Sequence, residues 1–194
     1  MGYCFVTAEK IKSLGTLTSK YKHNYRKVTV ENADPNLEHL NEELVALPLD
    51  EFGNQKTYKD FFKERIESLD YYKDHKIRHD QVYAMEVVST FSREEDIDIE
   101  AWKKKNVEWL QKTFNQAGDG KSNIASIVFH ADEPGNVHCH AIIVPIDPRG
   151  RLNAKHYTGG YKIMREMQNS YAEDMKEFGL ERGLEGGQAK HRDI

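Results

Sequence analysis

The stretch His130-Ala-Asp132-Glu133-Pro-Gly-Asn-Val-His138-Cys-His140 decides how the central part of this chain folds. Its Pro-Gly-Asn sequence lies between two apolar runs, 124–129 and 141–145, and therefore predicts the turn of a β-hairpin. Side chains two residues apart on a strand share a face, so both histidines of the His-x-His pair point to one side and Cys139 to the other. Folding the hairpin back brings the first histidine close to that pair.

Three imidazoles that converge without a fourth protein ligand are typical of a catalytic metal site with open coordination positions. We therefore predict that His130, His138 and His140 bind one divalent metal ion. A His-x-His pair alone is more often a surface feature. The third histidine, His130 on the opposite strand of the hairpin, is what favours a metal site. Asp132 and Glu133 are ordinary turn residues in one interpretation. In the interpretation that we favour, they accept hydrogen bonds from the imidazole N–H groups.

The composition is that of one globular domain. The chain has 194 residues, of which 38% are hydrophobic and 31% charged, and no apolar run approaches the length of a membrane span. The first ten residues lack the pattern of a signal peptide. Two cysteines, Cys4 and Cys139, are too few for a disulfide framework. These features predict a protein of the reducing cytoplasm.

The charges are unevenly distributed, although the net charge is −4. Residues 10–30 contain six Lys or Arg and residues 148–165 contain five, with no acid in either segment. Either segment could be an ordinary solvated face, but local fields rather than the net charge attract a phosphate backbone. We therefore predict that both segments line a DNA strand. The expected DNA contacts are Lys22, Tyr25, Lys27, Arg149, Arg151 and Lys155.

The pattern along the chain alternates between strands and helices, and favours an α+β fold in which an antiparallel sheet is flanked by helices. We predict one domain over residues 1–194, with a poorly ordered tail at 182–194. The expected elements are a strand at 2–8, loops at 32–54, a helix from Tyr58 to Tyr72, a strand at 81–91, a helix from about Ile97 to Gly118, and a helix from Met164 to Phe178 that Gly179 stops.

A three-histidine site beside basic segments suits metal-assisted phosphoryl transfer. The chain has neither a phosphate-binding P-loop motif nor a Gly-x-Ser-x-Gly motif. The remaining nucleophiles are His23, Tyr21, Tyr25 and a metal-bound water. The two tyrosines and His23 share one face if their segment is extended, and they do not if it is helical.

Four stretches, in this order and spacing, resemble the relaxase domain of the Mob/Pre plasmid mobilisation and recombination proteins, the MOBV class of His-hydrophobic-His endonucleases. They span most of the chain from about residue 20 to His191. They are Lys22-His23-Asn24-Tyr25-Arg26, Glu38-His39-Leu40-Asn41-Glu42-Glu43-Leu44, the histidine hairpin, and Leu152-Asn153-Ala154-Lys155 followed by Gly179-Leu180-Glu181-Arg182-Gly183.

The resemblance implies a bacterial, metal-dependent enzyme that nicks one strand at a plasmid transfer origin and remains attached to the 5′ phosphate. Its cofactor would be Mn²⁺ or Mg²⁺, and its partner single-stranded or hairpin origin DNA. By position, His23 would be the nucleophile and form a phosphoramidate. Arg26 would contact phosphate or help to set the nucleophile, and Glu133 would complete the catalytic residues. Positive charge from Lys22, Arg26 and Lys27 would keep the histidine neutral.

The hairpin turn departs from the family pattern at one place. The family has three residues between the Glu and the next His, with Pro directly before that His. Here four residues, 134–137, separate Glu133 from His138, and Val137 takes the place of the Pro. The extra residue falls in the loop, where the metal geometry can survive it.

Other functions remain open at this point. A rolling-circle replication initiator of the same class would use Tyr21 or Tyr25 as its nucleophile. A non-catalytic relative would bind origin DNA and repress transcription, and an unrelated metal hydrolase would use Glu133 to activate water. Many members of the family carry a C-terminal region for dimerisation or membrane association. We expect this chain to be a truncated form without that region, so that this domain does not itself contact a membrane and any dimer forms elsewhere.

Overall fold

The described part of the chain, residues 2–92 and 97–183 of a computed structural model, contains six strands and six α-helices. In chain order they are β1 Gly2–Ile11, α1 Leu14–Asn24, β2 Glu42–Val45, α2 Tyr58–Glu67, α3 Tyr71–Asp74, β3 Ala84–Phe91, α4 Ile99–Phe114, β4 Ile124–His130, β5 His138–Ile143, α5 Ala154–Thr158, α6 Tyr161–Met175 and β6 Leu180–Arg182. None of these helices is both long enough and apolar enough to cross a membrane.

The strands form one sheet in the order β2-β4-β5-β3-β1-β6. Every neighbouring pair is antiparallel except β1 and β6, which are parallel. The predicted α+β fold with an antiparallel sheet flanked by helices is confirmed. The predicted hairpin is β4 and β5, and its register pairs His130 directly with His138.

Helices cover both faces of the sheet. Along each strand the side chains alternate between these two faces. On one face α4 and α6 pack through Trp102, Trp109 and Tyr171 in a core that also contains Cys139. On the other face α1 and α2 pack through Leu17 and Phe62. The neighbours of Cys139 along β5 point to the α1 face, so this face carries the His-x-His pair.

The element boundaries differ from the expectations where pairing and capping override local pattern. The segment predicted to be loops contains β2, which pairs with the edge of β4. The helix expected to reach Tyr72 ends at Glu67, and a separate short helix, α3, follows. Helix α4 ends at Phe114 rather than at Gly118. Gly179 does end the last helical segment, with a left-handed φ of 69° after one 3₁₀ turn.

The predicted tail falls mostly outside the described residues, which end at Gly183. His191, the last residue of the family-like signature, lies in that part too. Arg182 was included in the predicted tail, but it belongs to β6, which extends the sheet beside β1.

Candidate active site

Three histidines meet on the α1 face, next to the turn of the hairpin. His130 is the last residue of β4 and His138 is the first of β5, and they face each other across the ladder. His140 lies two residues further along β5, on the same face. All three are buried, with exposed fractions of 0%, 5% and 8%.

One ring nitrogen of each histidine is held by a hydrogen bond. Nε2 of His130 donates to the carbonyl of Asn24 at 2.8 Å, and Nδ1 of His138 donates to the carbonyl of Asn136 at 2.7 Å. Nδ1 of His140 donates to a carboxylate oxygen of Glu86 at 2.9 Å. Because each carbonyl acceptor requires an N–H, Nδ1 of His130 and Nε2 of His138 carry the lone pairs of their neutral rings.

The remaining ring nitrogens of the three histidines lie close together. One nitrogen from each ring lies within 4.8 Å of the others. Nδ1 of His130 is buried and has no hydrogen-bond partner, and the Nε2 atoms of His138 and His140 lie 3.0 Å apart. At that distance one ring nitrogen can donate its N–H to the other, and a metal ion shared by both rings would take the place of that proton. The donor set therefore fits a divalent metal ion held by three imidazoles with its remaining positions open.

Burial also keeps His130 and His138 in the neutral form that binds metals. Burial, and then the nearby His140, lowers the pKa of His130 to about 2. The same two causes lower the pKa of His138 to about 4. Near neutral pH neither ring carries a proton that a metal ion would have to displace.

Glu86 supports this centre from the adjacent strand β3, and our sequence analysis did not identify it. Its carboxylate is only 3% exposed and also accepts hydrogen bonds from Lys20 Nζ at 2.5 Å and Asn24 Nδ2 at 3.2 Å. Burial raises its pKa, but His140 and Lys20 lower it more, so the pKa lies well below the usual value. A glutamate in the middle of an apolar strand was the signal that could have revealed it.

His23 lies in the last turn of α1, with its ring against the three-histidine cluster. The ring centroid is 5.6 Å from that of His140 and 6.4 Å from that of His130. The helix begins after Ser13, whose hydroxyl accepts the Thr16 N–H. Burial, followed by the nearby His140 and Arg26, lowers the pKa of His23, which keeps this ring neutral and nucleophilic.

The two tyrosines of the same segment point elsewhere, because the segment is helical. Tyr21 and Tyr25 are four residues apart and pack together with ring centroids 5.0 Å apart, against the edge of Tyr58. The Tyr25 hydroxyl donates to the carboxylate of Glu43. Burial and this bond raise the pKa of Tyr25 above its usual value, so neither feature activates it as a nucleophile.

Arg26 joins the end of α1 to the hairpin turn. Its guanidinium donates to both oxygens of Asp132 at 2.7 and 2.6 Å and to Glu133 at 3.0 Å. The guanidinium also donates a hydrogen bond of 3.2 Å to the carbonyl of His23. Its backbone has φ 49°, a left-handed conformation that costs energy in a residue with a side chain. This network holds the His23 turn against the histidine hairpin.

The described hydrogen bonds of Asp132 go to a different partner from the expected imidazoles. Its buried carboxylate does not accept a described hydrogen bond from an imidazole, because those bonds go to Glu86 and to two backbone carbonyls. It binds Arg26 instead, while Asn41 Oδ1 accepts the backbone N–H groups of Ala131 and Asp132 at 2.8 and 3.2 Å. Glu133 lies closer to the candidate centre, with a carboxylate oxygen 3.8 Å from Nε2 of His138.

A model of the plasmid recombination enzyme family, Mob_Pre, matches residues 1–194. The chain belongs to this family. A 65 kDa protein of Zymomonas mobilis is 31% identical over 99% of the chain, and a plasmid recombination enzyme type 3 of Staphylococcus aureus is 29% identical over all of it. The chain spans 32% and 47% of the lengths of these two relatives.

Solved structures are similar along the whole length. The manganese-bound MobM relaxase domain of the same Mob_Pre family, bound to a 22-nucleotide transfer-origin DNA of plasmid pMV158, is 27% identical with a TM-score of 0.79. The similarity covers 98% of this chain and 95% of that one. The fold predicted from the Mob_Pre motifs is therefore confirmed.

The longer hairpin turn of this Mob_Pre chain does not disturb the histidines. Gly135 takes a left-handed φ of 73°, and the Asn136 N–H bonds the Glu133 carbonyl at 3.0 Å. The strands still pair His130 with His138. The carbonyl that fixes the His138 ring also comes from this turn, so the extra residue is absorbed without loss of support.

The predicted DNA contacts fall in two separate places. Lys22 and Lys27 are exposed at the end of α1, beside His23. The other cations follow the opposite end of β5 from the histidines, and one of them, Arg151, packs its guanidinium over Tyr71 at 4.4 Å. The structure therefore does not bring Arg149, Arg151 and Lys155 to the histidine cluster.

Proposed function

We propose that this chain is a relaxase domain, a metal-dependent, site-specific endonuclease that nicks one DNA strand at a plasmid transfer origin and keeps the 5′ phosphate on His23. The observation that carries the proposal is the position of the neutral His23 ring against three imidazoles whose free nitrogens converge. The family of plasmid recombination enzymes and the solved relaxase domain bound to Mn²⁺ and origin DNA support it.

His130, His138 and His140 would hold the metal ion, with Mn²⁺ or Mg²⁺ as the expected cofactor. When bound, the ion supplies Lewis-acid polarisation of the scissile phosphate. Glu86 orients His140 and makes its ring a better donor, and the backbone carbonyls of Asn24 and Asn136 do the same for the other two rings.

His23 attacks phosphorus through its unprotonated nitrogen. A P–N bond forms while the bond from phosphorus to the 3′ oxygen breaks, and the proton of the attacking ring balances the charge on the departing oxygen. Glu133 would then pass that proton on, and its charge, like that of Glu86, acts on the His23 ring. The phosphoramidate conserves the energy of the broken bond, so a 3′ hydroxyl can later reverse the step and rejoin the strand.

The same geometry disfavours a tyrosine nucleophile. Tyr25 is bonded to Glu43, and Tyr21 packs with it on the side of α1 that faces Tyr58. A rolling-circle initiator mechanism would require one of them to leave this cluster. Arg26 acts by positioning, because its guanidinium is already bonded to two carboxylates and to the His23 carbonyl.

Lys22 and Lys27 would bind the phosphates next to the scissile one. Arg149, Arg151 and Lys155 would bind a more distant part of the origin, such as a hairpin stem, since they follow the other end of β5. The two cysteines are free and buried, which is consistent with action in the bacterial cytoplasm.

The proposal is tested by trapping the covalent intermediate. The chain is incubated with Mn²⁺ and a pool of random-sequence single-stranded oligonucleotides, and adducts that survive denaturation are sequenced. We expect an adduct that is stable to alkali and labile to acid, as a phosphoramidate is. An acid-stable adduct would indicate a tyrosine, and tight DNA binding without an adduct would indicate a non-catalytic repressor.

A further inference from the structure

The sheet face that carries the histidines continues beyond them across β3 and β1. His138 pairs with Thr90, and Thr90 pairs in turn with Phe5. Residues directly opposite each other in antiparallel strands point to the same face. Phe5, and Tyr3 two residues before it, therefore share the face of the metal-binding histidines.

This part of the face is partly open in the described residues, although Gly183 lies close to one edge of the Phe5 ring. Tyr3 is 43% exposed and Phe5 is 44% exposed, whereas Cys4 and Val6, on the other face of the same strand, are buried in the core. Helix α1 contacts the sheet further along, where Lys20 bonds Glu9 and Glu86. The start of β1 therefore presents two aromatic rings to solvent instead of to a helix.

The rings lie close to the proposed chemistry. Adjacent strands are about 4.8 Å apart, so Phe5, two strands from His138, lies about 10 Å from it across the sheet. A single strand whose phosphate lies at the histidine cluster reaches this distance with its neighbouring nucleotides. This surface is therefore continuous with the proposed site, and DNA bound at the site can extend along it.

The chemistry of the surface matches bases better than phosphates. Thr7 and Thr90 are uncharged, and the one carboxylate that flanks Tyr3 across the ladder, Glu181, would repel a phosphate. Every base has a flat face that stacks on an aromatic ring whatever the sequence, and sheet-borne aromatic residues bind single strands in this way.

We propose that Phe5 and Tyr3 form a base-stacking platform for the single-stranded DNA next to the scissile phosphate. The inference rests on the proposed function, because the DNA strand has to pass through the histidine cluster. It assigns a role to two exposed aromatic residues that the proposed chemistry does not use.

The first test measures binding by the full chain with Mn²⁺. A fluorescein-labelled oligothymidylate is titrated at fixed salt and followed by anisotropy. Phe5→Leu and Tyr3→Leu keep apolar side chains without the rings, and each should weaken binding by about 5- to 150-fold. Tyr3→Phe keeps a ring and should bind like the wild type. Phe52→Leu is the matched control, since Phe52 is 80% exposed elsewhere on the surface.

The second test reports contact directly. The indole introduced by Phe5→Trp should be accessible to acrylamide in the free protein and should be quenched and shielded when the oligothymidylate binds. An indole already shielded in the free protein would show that another part of the chain covers the platform and would overturn the proposal. Wild-type affinity in Phe5→Leu, with melting temperature unchanged, would overturn it as well.

The two proposals fail in different ways. If the wild type forms the covalent adduct but Phe5→Leu and Tyr3→Leu bind oligothymidylate normally, only the platform is wrong. If the wild type neither binds single-stranded DNA nor forms an adduct, the proposed function is wrong and the platform falls with it.

Discussion

Replacing Glu86 by glutamine tests how the protein supports its proposed metal ligands. The side chain keeps its shape but loses its charge, in a position that is 3% exposed. The amide oxygen can still accept the hydrogen bond from Nδ1 of His140, now 2.9 Å from the carboxylate. The amide nitrogen then faces Lys20 Nζ, so two donors meet where an ion pair was. Lys20 retains Glu9 as a partner at 2.7 Å.

The expected magnitudes follow from these contacts. Losing the carboxylate that polarises a ligating imidazole typically weakens metal binding by about 10- to 100-fold, or about 1.4–2.7 kcal/mol. The unpaired donors at the buried end of Lys20 should lower the free energy of unfolding by about 1–3 kcal/mol. The fold should survive, because Lys20 is partly exposed and turns to Glu9.

The assay is calorimetric titration of Mn²⁺ at neutral pH into the metal-free protein. Glu9→Gln is the matched control, since it removes the other carboxylate bound to Lys20 and touches no histidine. We expect wild-type Mn²⁺ affinity for Glu9→Gln and the 10- to 100-fold loss for Glu86→Gln. A folded Glu86→Gln variant that binds Mn²⁺ as tightly as the wild type would refute the reasoning.

Three further changes have expected outcomes. His138→Ala should abolish the rise in melting temperature that Mn²⁺ gives the wild type, because ligand binding stabilises only a protein that retains its site. Replacing Lys22 and Lys27 together by glutamine should weaken binding of single-stranded DNA and lower the log–log salt slope by about 0.7 for each lost phosphate contact. Asp119→Asn should lower the free energy of unfolding in urea by about 1–3 kcal/mol at pH 7, because Arg65, 3% exposed, loses its carboxylate partner at 2.7 Å.

The destabilisation expected for Asp119→Asn depends on pH, and the direction of this dependence can be worked out. Burial raises the pKa of Asp119 and the bonds from Arg65 lower it, and the net pKa lies below the usual value. The stabilisation is therefore present above the unfolded pKa of about 3.9 and is lost as the pH falls through the folded pKa. A wild-type advantage that persists unchanged at low pH would contradict this. An Mn²⁺-stabilised His138→Ala variant, or an unchanged salt slope, would contradict the other two predictions.

The histidine cluster could be predicted from sequence because its ligands are close along the chain. A turn sequence between two apolar runs determines the pairing of His130 with His138, and alternation along a strand places His140 beside them. The contacts between this cluster and residues distant in sequence could not be predicted in this way. Glu86 reaches His140 only because β3 pairs with β5 in a register that no local pattern reveals. The partner of Asp132 could not be predicted for the same reason, since Arg26 lies more than a hundred residues away.

Local pattern also left the nucleophile segment undecided. An extended segment would have placed Tyr21 and Tyr25 beside His23. The cap at Ser13 begins a helix instead, and a helix separates the ring of His23 from the two tyrosines. Likewise, β2 was expected to be a loop, because an edge strand of four residues takes its conformation from its partner strand rather than from its own sequence.

The central claim is that His23 forms the covalent bond to DNA, and mass spectrometry of the trapped adduct tests it most directly. The chain and its variants are incubated with Mn²⁺ and the oligonucleotide recovered from the adduct pool, then digested, and the nucleotide-bearing peptide is sequenced. We expect the nucleotide on His23, no adduct from His23→Ala although it still binds DNA and Mn²⁺, and normal adducts from Tyr21→Phe and Tyr25→Phe. A nucleotide found on either tyrosine would contradict the account.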